Sequence, residues 1–304
     1  MEVAGQAAAA LQELLPPPDE PIRFLEVGCA PGIGAVWDPL RGVIDYVGCD
    51  PLVVDCDVWS PDAGGFPRVR RLGVAVAANE GTATLHVTAD PDRSSLLRPN
   101  WPVVGRYEDA WRFACREERE VPCTTLAALA RRHGQPDVIR IHGQGLEYQL
   151  VSSGLDVIGA ALCLEVEAGL VERYAGEYPY ALIDPLLRQA GLALVDLTGR
   201  PGLRRGWSGP DSRHQPLRCQ ATWLRDVVGC RERPPQARAR KLLLICKALG
   251  QLAFGQELAG HLAETGVIGP ALGELLGDPA AWRRSWQLGD VELRTSGSPA
   301  AGPD

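Results

Sequence analysis

Phe24-Leu-Glu-Val-Gly-Cys-Ala-Pro-Gly-Ile-Gly34, followed by Tyr46-Val-Gly-Cys-Asp50, is the stretch that decides the fold. An apolar run enters a glycine-rich turn, and a second apolar run ends on an acidic residue. This is the pattern of a doubly wound sheet that meets a nucleotide-type ligand at the carboxyl ends of its strands. Glycine lets backbone approach a ligand closely. A carboxylate after the second strand suits a ribose diol.

Strand-like runs recur outward from this point at Ile22–Val27, Tyr46–Cys49, Val69–Val76, Val138–Ile141, Ala161–Val166, Leu192–Val195 and Ala221–Leu224. Helical patterns separate most of them. Leu126 to Arg132 has helical spacing, with Thr124 or Thr125 as its cap. Leu146–Val151 and Pro185–Ala190 follow, the latter closed by Gly191. Alternating strands and helices imply a mainly parallel sheet with both faces covered. Thr82 to Thr88 alternates apolar and polar after the turn-like Asn79-Glu-Gly81, which predicts an inserted β-hairpin. Thr198 to Arg218 reads as a surface loop.

Glu2 to Leu15 predicts a short helix ended by Pro16-Pro-Pro18. After Gly229 the chain becomes charged and proline-containing through Arg240. Lys241 to Leu262 is then strongly helical, with Leu272–Leu276 and Trp282–Trp286 weaker. The expected organisation is a main domain over 1–230, a helical extension over 231–294 and a disordered tail over 295–304.

The 304-residue chain is 45% hydrophobic and 23% charged, as in ordinary globular proteins. A net charge of −7 argues against a general nucleic-acid binder, which needs a basic face. No apolar run has the length of a membrane span, and the first residues lack the pattern of a secretory signal. The nine cysteines are scattered, without C-x-x-C spacing. Cys49, Cys163 and Cys246 lie in apolar runs and read as small buried hydrophobes. A cytoplasmic protein without structural zinc is expected.

Gly28 to Gly34 is G-x-x-x-G-x-G, distinct from the usual dinucleotide fingerprint. Short-chain dehydrogenases use a similar turn but need a tyrosine four residues before a lysine. Lys241 and Lys247 are preceded at that distance by Ala237 and Leu243. The alternative is an S-adenosylmethionine turn, acidic-x-Gly-x-x-x-Gly, which Glu26, Gly28 and Gly32 satisfy. Glu26 would then meet the cofactor's ammonium and Asp50 its ribose hydroxyls. A turn that merely passes strand to helix is the third reading.

From Phe24 to Asp226 the order of motifs resembles the FkbM family of S-adenosylmethionine-dependent methyltransferases. The likeness is carried by Ala77 to Thr88, by Ser94-Ser-Leu-Leu-Arg-Pro-Asn100 and by Val121-Pro-Cys-Thr-Thr-Leu126. Pro136-Asp-Val-Ile-Arg-Ile-His-Gly-Gln-Gly-Leu-Glu147, Leu164-Glu-Val-Glu167, Leu186 to Leu197 and Trp223-Leu-Arg-Asp226 complete it. The resemblance implies a Rossmann-like class I methyltransferase fold. That is an α/β domain with a mostly parallel seven-stranded sheet, a β-hairpin insertion and a helical C-terminal extension. It also implies O-methylation of a hydroxyl on a small metabolite, sugar or glycan.

This chain carries His142 and Arg140 where the family carries aspartate and lysine. His142, at the end of the fourth parallel run, is the candidate base; positioning and lost activity are its other readings. Glu147 is a catalytic candidate that could orient His142 or bind substrate, or a solvated first-turn residue. Gln144 could offer its amide to cofactor or acceptor. Ser94 and Ser95 match the double-serine motif and could close the pocket. One of Glu165 and Glu167 is expected to face the site, and Tyr174, Tyr178 and Tyr180 to line an acceptor pocket. His86 reads as a surface residue. No metal ligand set is expected. The partners expected are a small-molecule or glycan acceptor, with no nucleic acid and no membrane, and the apolar C-terminal helix leaves room for a homodimer. Two rival functions stand beside this one. One is a catalytically silent cofactor-binding relative that docks a partner through Lys241–Leu262. The other is an NAD(P)-dependent oxidoreductase.

Overall fold

The computed structural model describes residues 14–278 apart from 18, 31, 60–64 and 208–213. It is a mixed α/β chain built on an eight-stranded sheet. The strands are β1 (Ile22–Val27), β2 (Ile44–Cys49), β3 (Cys56–Trp59), β4 (Arg68–Leu72), β8 (Val138–Ile141), β9 (Cys163–Gly169), β10 (Leu192–Gly202) and β11 (Gln215–Arg225). Their spatial order is β10-β11-β9-β8-β1-β2-β4-β3. The run β9-β8-β1-β2-β4 is parallel; β11 and β3 are antiparallel to their neighbours. The remaining strands, β5 (Ala75–Val76), β6 (Gly81–Thr88) and β7 (Cys115–Thr124), form a separate sheet in the order β5-β7-β6.

Alternation along the central strands sends side chains to two cores. Phe24, Tyr46, Val138 and Cys163 face one layer; Leu25, Val27, Ile139 and Leu164 face the other. The second layer is closed by α1 (Leu126–His133), α2 (Glu147–Ser153), α3 (Leu155–Gly159) and α4 (Ile183–Gln189). Thr125 caps α1 by accepting from Ala128 N at 3.1 Å, and Gly191 follows α4 at φ +80°.

The first layer is closed from the far end of the chain. Helices α5 (Gln236–Ala248), α6 (Leu252–Glu264) and α7 (Pro270–Gly277) contribute Leu242, Leu243, Ile245, Leu258 and Leu272 to the core around Phe24 and Trp37. The expected Lys241–Leu262 helix is thus two helices, broken where Gly250 takes φ +69°. Lys241 anchors α5 to the sheet through Asp137 and Pro21 O, both at 2.8 Å. Leu242, Leu243, Ile245, Leu258 and Leu262 of this stretch are buried in that core. Between β1 and β2 only a 3-10 helix, Ala35–Val43, supports that layer, with Pro39 inside it.

Several expectations are corrected. The sheet has an eighth strand, β3, whose short edge is held by an Asp57–Arg68 ion pair. The run Val69–Val76 is two strands in different sheets. It breaks at Gly73, where a Cβ would lie 2.9 Å from Val53 O. Thr82–Thr88 does not hairpin with the residues before it. It pairs with β7, whose Arg116-Glu-Glu-Arg-Glu120 hides a strand behind charges that few strands carry. The two ends of Thr198–Arg218, Thr198–Gly202 and Gln215–Arg218, belong to a two-stranded ribbon, with β10 and β11 paired from Leu192/Arg225 to Gly202/Gln215. The Glu2–Leu15 helix, apart from Leu14 and Leu15, lies outside the described residues, as do Trp282–Trp286 and the tail.

Candidate functional site

Three rows of cross-strand neighbours build the site. Glu26, Arg140 and Glu165 stand side by side on β1, β8 and β9. Next come Val27, Ile141 and Val166, with Cys49 on β2. One residue further stand Asp50, Gly28 and His142, just past the ends of β2, β1 and β8, with Glu167 on β9, which runs on to Gly169. This last row opens into a cavity of about 460 Å³ over β2, β1, β8 and β9. Chain connectivity reverses here: β1 is followed outward by β2 and β4, then across the sheet by β8 and β9. Open α/β sheets bind ligands at such switch points.

Gly28 is required by the backbone. Its φ is +76°, and a Cβ would lie 2.4 Å from His142 O. Its N–H donates to Cys49 O at 2.8 Å, which locks the turn to the end of β2. Asp50 accepts from Leu52 N at 2.9 Å and from Ala30 N at 3.3 Å, tying the glycine turn to the acidic strand end. Burial pushes its carboxyl pKa up, with the Leu52 and Ala30 N–H groups pulling back.

Ser95 closes the cavity from the insertion between β6 and β7. Its hydroxyl donates to Gln144 O at 2.7 Å and accepts from Leu97 N at 2.9 Å. Ser94 accepts from Thr88 N at 3.2 Å. Gln144 sits at φ +48°, and its side-chain oxygen lies 3.0 Å from the Tyr174 hydroxyl. Both serines and Gln144 line the cavity.

His142 is half-buried, and its Nε2 has no hydrogen-bond partner among the described residues. Burial, with Arg140 and Arg218 nearby, pulls its pKa down to about 4 against the upward pull of Glu167. The imidazole is therefore neutral at neutral pH. Glu167 lies 3.2 Å from Arg218 Nε on β11, and both reach the cavity.

Gly28, Asp50, His142 and Gln144 are thus brought together; Glu26, Gly32 and Glu147 are not part of the wall. Glu26 is fully buried in the layer of Phe24 and Tyr46. It accepts a short hydrogen bond from the Tyr46 hydroxyl and one from Arg140 Nη1 at 3.1 Å. Glu165 joins this cluster through Trp37 Nε1 at 3.2 Å and Arg140 Nε at 4.0 Å. Burial pushes both carboxyls up, and Arg140 opposes it. Gly32 shares the cluster through its carbonyl, 3.4 Å from Arg140 Nη1.

Glu147 differs from the solvated first-turn residue considered above. It is buried, and it accepts from Gly145 N at 3.0 Å. Burial and the neighbouring Glu177 carry its pKa up to about 8 despite Arg173. The tyrosines also lie elsewhere. Tyr174 is buried behind Gln144, Tyr178 rests on Tyr148 with ring centres 4.7 Å apart, and Tyr180 stacks on Trp223. His86 is buried, 3.2 Å from Glu118 and bridged to Ser95.

Sequence reasoning missed Arg93 and Arg218, which reach the cavity from the 3-10 turn Pro91–Arg93 and from β11. The one local signal was the position of Arg93 directly before Ser94-Ser95. All nine cysteines are free. Among the described residues no three His, Cys, Asp or Glu side chains are grouped to hold a metal, and no helix is long and apolar enough to cross a membrane. Comparison with protein-family models, curated proteins and solved structures finds no match for this chain.

Proposed function

We propose that the chain is an S-adenosylmethionine-dependent O-methyltransferase acting on a hydroxyl of a small metabolite, sugar or glycan. The observation that carries this reading is the cavity at the switch point, with Gly28 and the Asp50 carboxylate on adjacent strand ends. Without the edge strand β3, the order β10-β11-β9-β8-β1-β2-β4 with one antiparallel strand supports a Rossmann-like class I methyltransferase sheet. The donor set fits the cofactor. Each Asp50 oxygen accepts one backbone N–H and keeps lone pairs for a ribose diol. A cavity of about 460 Å³ is in the range of small-molecule sites.

When bound, S-adenosylmethionine supplies an activated methyl group. The protein's part is then chiefly positioning, because in-line displacement depends on holding the acceptor at attack distance. Asp50 and the glycine turn hold one end of the cavity. The Ser95–Gln144 bond keeps the insertion over it, which excludes water. His142 Nε2, neutral and unpartnered, accepts the hydrogen bond of the acceptor hydroxyl and then its proton. Its low basicity makes that transfer late, after the hydroxyl has begun to acidify.

The same low basicity favours, as a second reading, a relative that binds the cofactor without turnover. Calorimetric titration with S-adenosylmethionine, S-adenosylhomocysteine and NADH tests the cofactor that both readings share. Formation of S-adenosylhomocysteine from S-adenosylmethionine on addition of hydroxylated acceptors separates the enzyme from the silent relative. Micromolar binding of the two sulfur compounds, with none of NADH, supports the proposal. Binding of NADH alone would replace it with an oxidoreductase.

A further inference from the structure

The cavity wall carries both signs of charge, grouped by proximity. Asp92 is near enough to Asp50 to raise its carboxyl pKa, and Arg93 near enough to Arg218 to lower its guanidinium pKa; all four line the cavity. Arg93 is the unusual member. It is 7% exposed, its Nε is buried without a partner, and no hydrogen bond of its guanidinium is found among the described residues. The nearest carboxylate, Asp90 Oδ2, lies 4.0 Å from it and is already held by Arg112 Nε at 2.9 Å. A buried guanidinium left this way is costly unless a ligand completes it. Its backbone is fixed, since the Tyr174 hydroxyl donates to Arg93 O at 3.0 Å.

Arg218 faces the same space from β11 with Glu167 beside it. Burial, reinforced by Arg93 and Arg173, pulls its guanidinium pKa down, so a further anion nearby would be welcome. Arg173 lies behind Glu167, almost fully buried. It is bonded to Glu177 at 3.2 Å, with Nε and Nη1 unpartnered. Glu177 pairs with Arg173 and Glu167 with Arg218, which leaves Arg93 with only the distant Asp90 that Arg112 already holds.

The geometry points to an oxyanion subsite at Arg93 and Arg218, so that the methyl acceptor carries a carboxylate or phosphate besides its hydroxyl. This inference rests on the methyltransferase reading, which gives the β2 end of the cavity to the cofactor. Guanidinium forks recognise both oxyanions in bidentate fashion. An anion held there places the rest of the acceptor beside His142.

The test titrates protein saturated with S-adenosylhomocysteine with inorganic phosphate, acetate and glycerol, for wild type and Arg93→Gln. Phosphate or acetate should bind and glycerol should not; the tighter anion names the group. Arg93→Gln should weaken that binding by about tenfold or more, the loss of a charge-assisted bond. It should leave S-adenosylhomocysteine affinity unchanged and should not lower Tm, because the one carboxylate near Arg93, Asp90, keeps its closer pair with Arg112. Two results would overturn the inference. One is failure of both anions to bind wild type. The other is a loss in Arg93→Gln of S-adenosylhomocysteine binding instead, which would give the arginine to the cofactor's own carboxylate. If S-adenosylhomocysteine itself does not bind, the same anion titrations on the unliganded protein still decide. Anion binding that disappears in Arg93→Gln keeps the subsite and ends only the cofactor assignment.

Discussion

Two rows of residues lie two positions apart along the same three neighbouring strands and their ends, and they have opposite fates. Glu26, Arg140 and Glu165 pair with one another beneath the 3-10 helix, where Tyr46 and Trp37 add hydrogen bonds and Arg140 Nε stays 4.0 Å from Glu165 without one. Gly28 and His142 end their strands beside Glu167, and around them His142 Nε2 and Arg93 Nε lack hydrogen bonds among the described residues, while Arg218 Nε has only its ion pair with Glu167. A closed cluster of charges holds a fold together. An open one retains unsatisfied groups at a cost to stability, and sites with that property are where ligands act. The difference separates the structural from the functional charges in a site where all of them sit within a few residues of one motif.

The largest effect should come from breaking the sealed row. Glu26→Ala leaves the half-buried Arg140 and the Tyr46 hydroxyl without their main acceptor. It should lower unfolding free energy by about 3 kcal/mol, the low end for a broken buried pair because Glu165 remains near Arg140. Urea denaturation reads this directly. A loss under about 1 kcal/mol would mean that the cluster is not the clamp described.

A smaller effect sharpens the comparison through pH. Glu147, raised from an ordinary 4.5 to about 8, is protonated in the folded chain and ionised in the unfolded chain between those values. Its contribution is therefore full below pH 4.5 and is lost as pH rises through 8. Glu147→Gln should remove this decline and be the more stable protein at pH 8, by about 1 kcal/mol or more. His142 acts in the opposite sense. Its folded pKa is lowered from 6.5 to about 4, so its contribution is present above 6.5 and is lost as pH falls toward 4. That slope is common to both proteins and cancels in their difference. Parallel stability–pH curves for the two would refute the assignment.

Much of the sheet was legible because buried parallel strands are short apolar runs with sharp ends. β1 and β8 fall at their expected residues, and Asp50 and His142 stand at strand ends as their runs imply. The direction of Glu26 was legible too, by alternation: between Leu25 and Val27 it must share the face of Phe24, away from the helices of the second layer. The motif match drew attention from that. β7 was not legible, because its charged sequence is a strand only once β6 and β5 pair with it. Nor was the partnership of Arg93 with Arg218, 125 positions later in the sequence, since only tertiary folding brings the insertion and β11 to one cavity.

The central claim is that the cavity row binds the ligand and the sealed row only supports it. It is tested most directly by titrating S-adenosylhomocysteine into wild type, Asp50→Ala and Glu26→Gln. Glu26→Gln keeps an acceptor for Tyr46 and Arg140, so the fold survives the change. The account predicts that Asp50→Ala loses at least about tenfold in affinity, the worth of one charge-assisted hydrogen bond, while Glu26→Gln binds as wild type does. Loss of binding in Glu26→Gln with Asp50→Ala unaffected would contradict it and move the cofactor contact to the buried row.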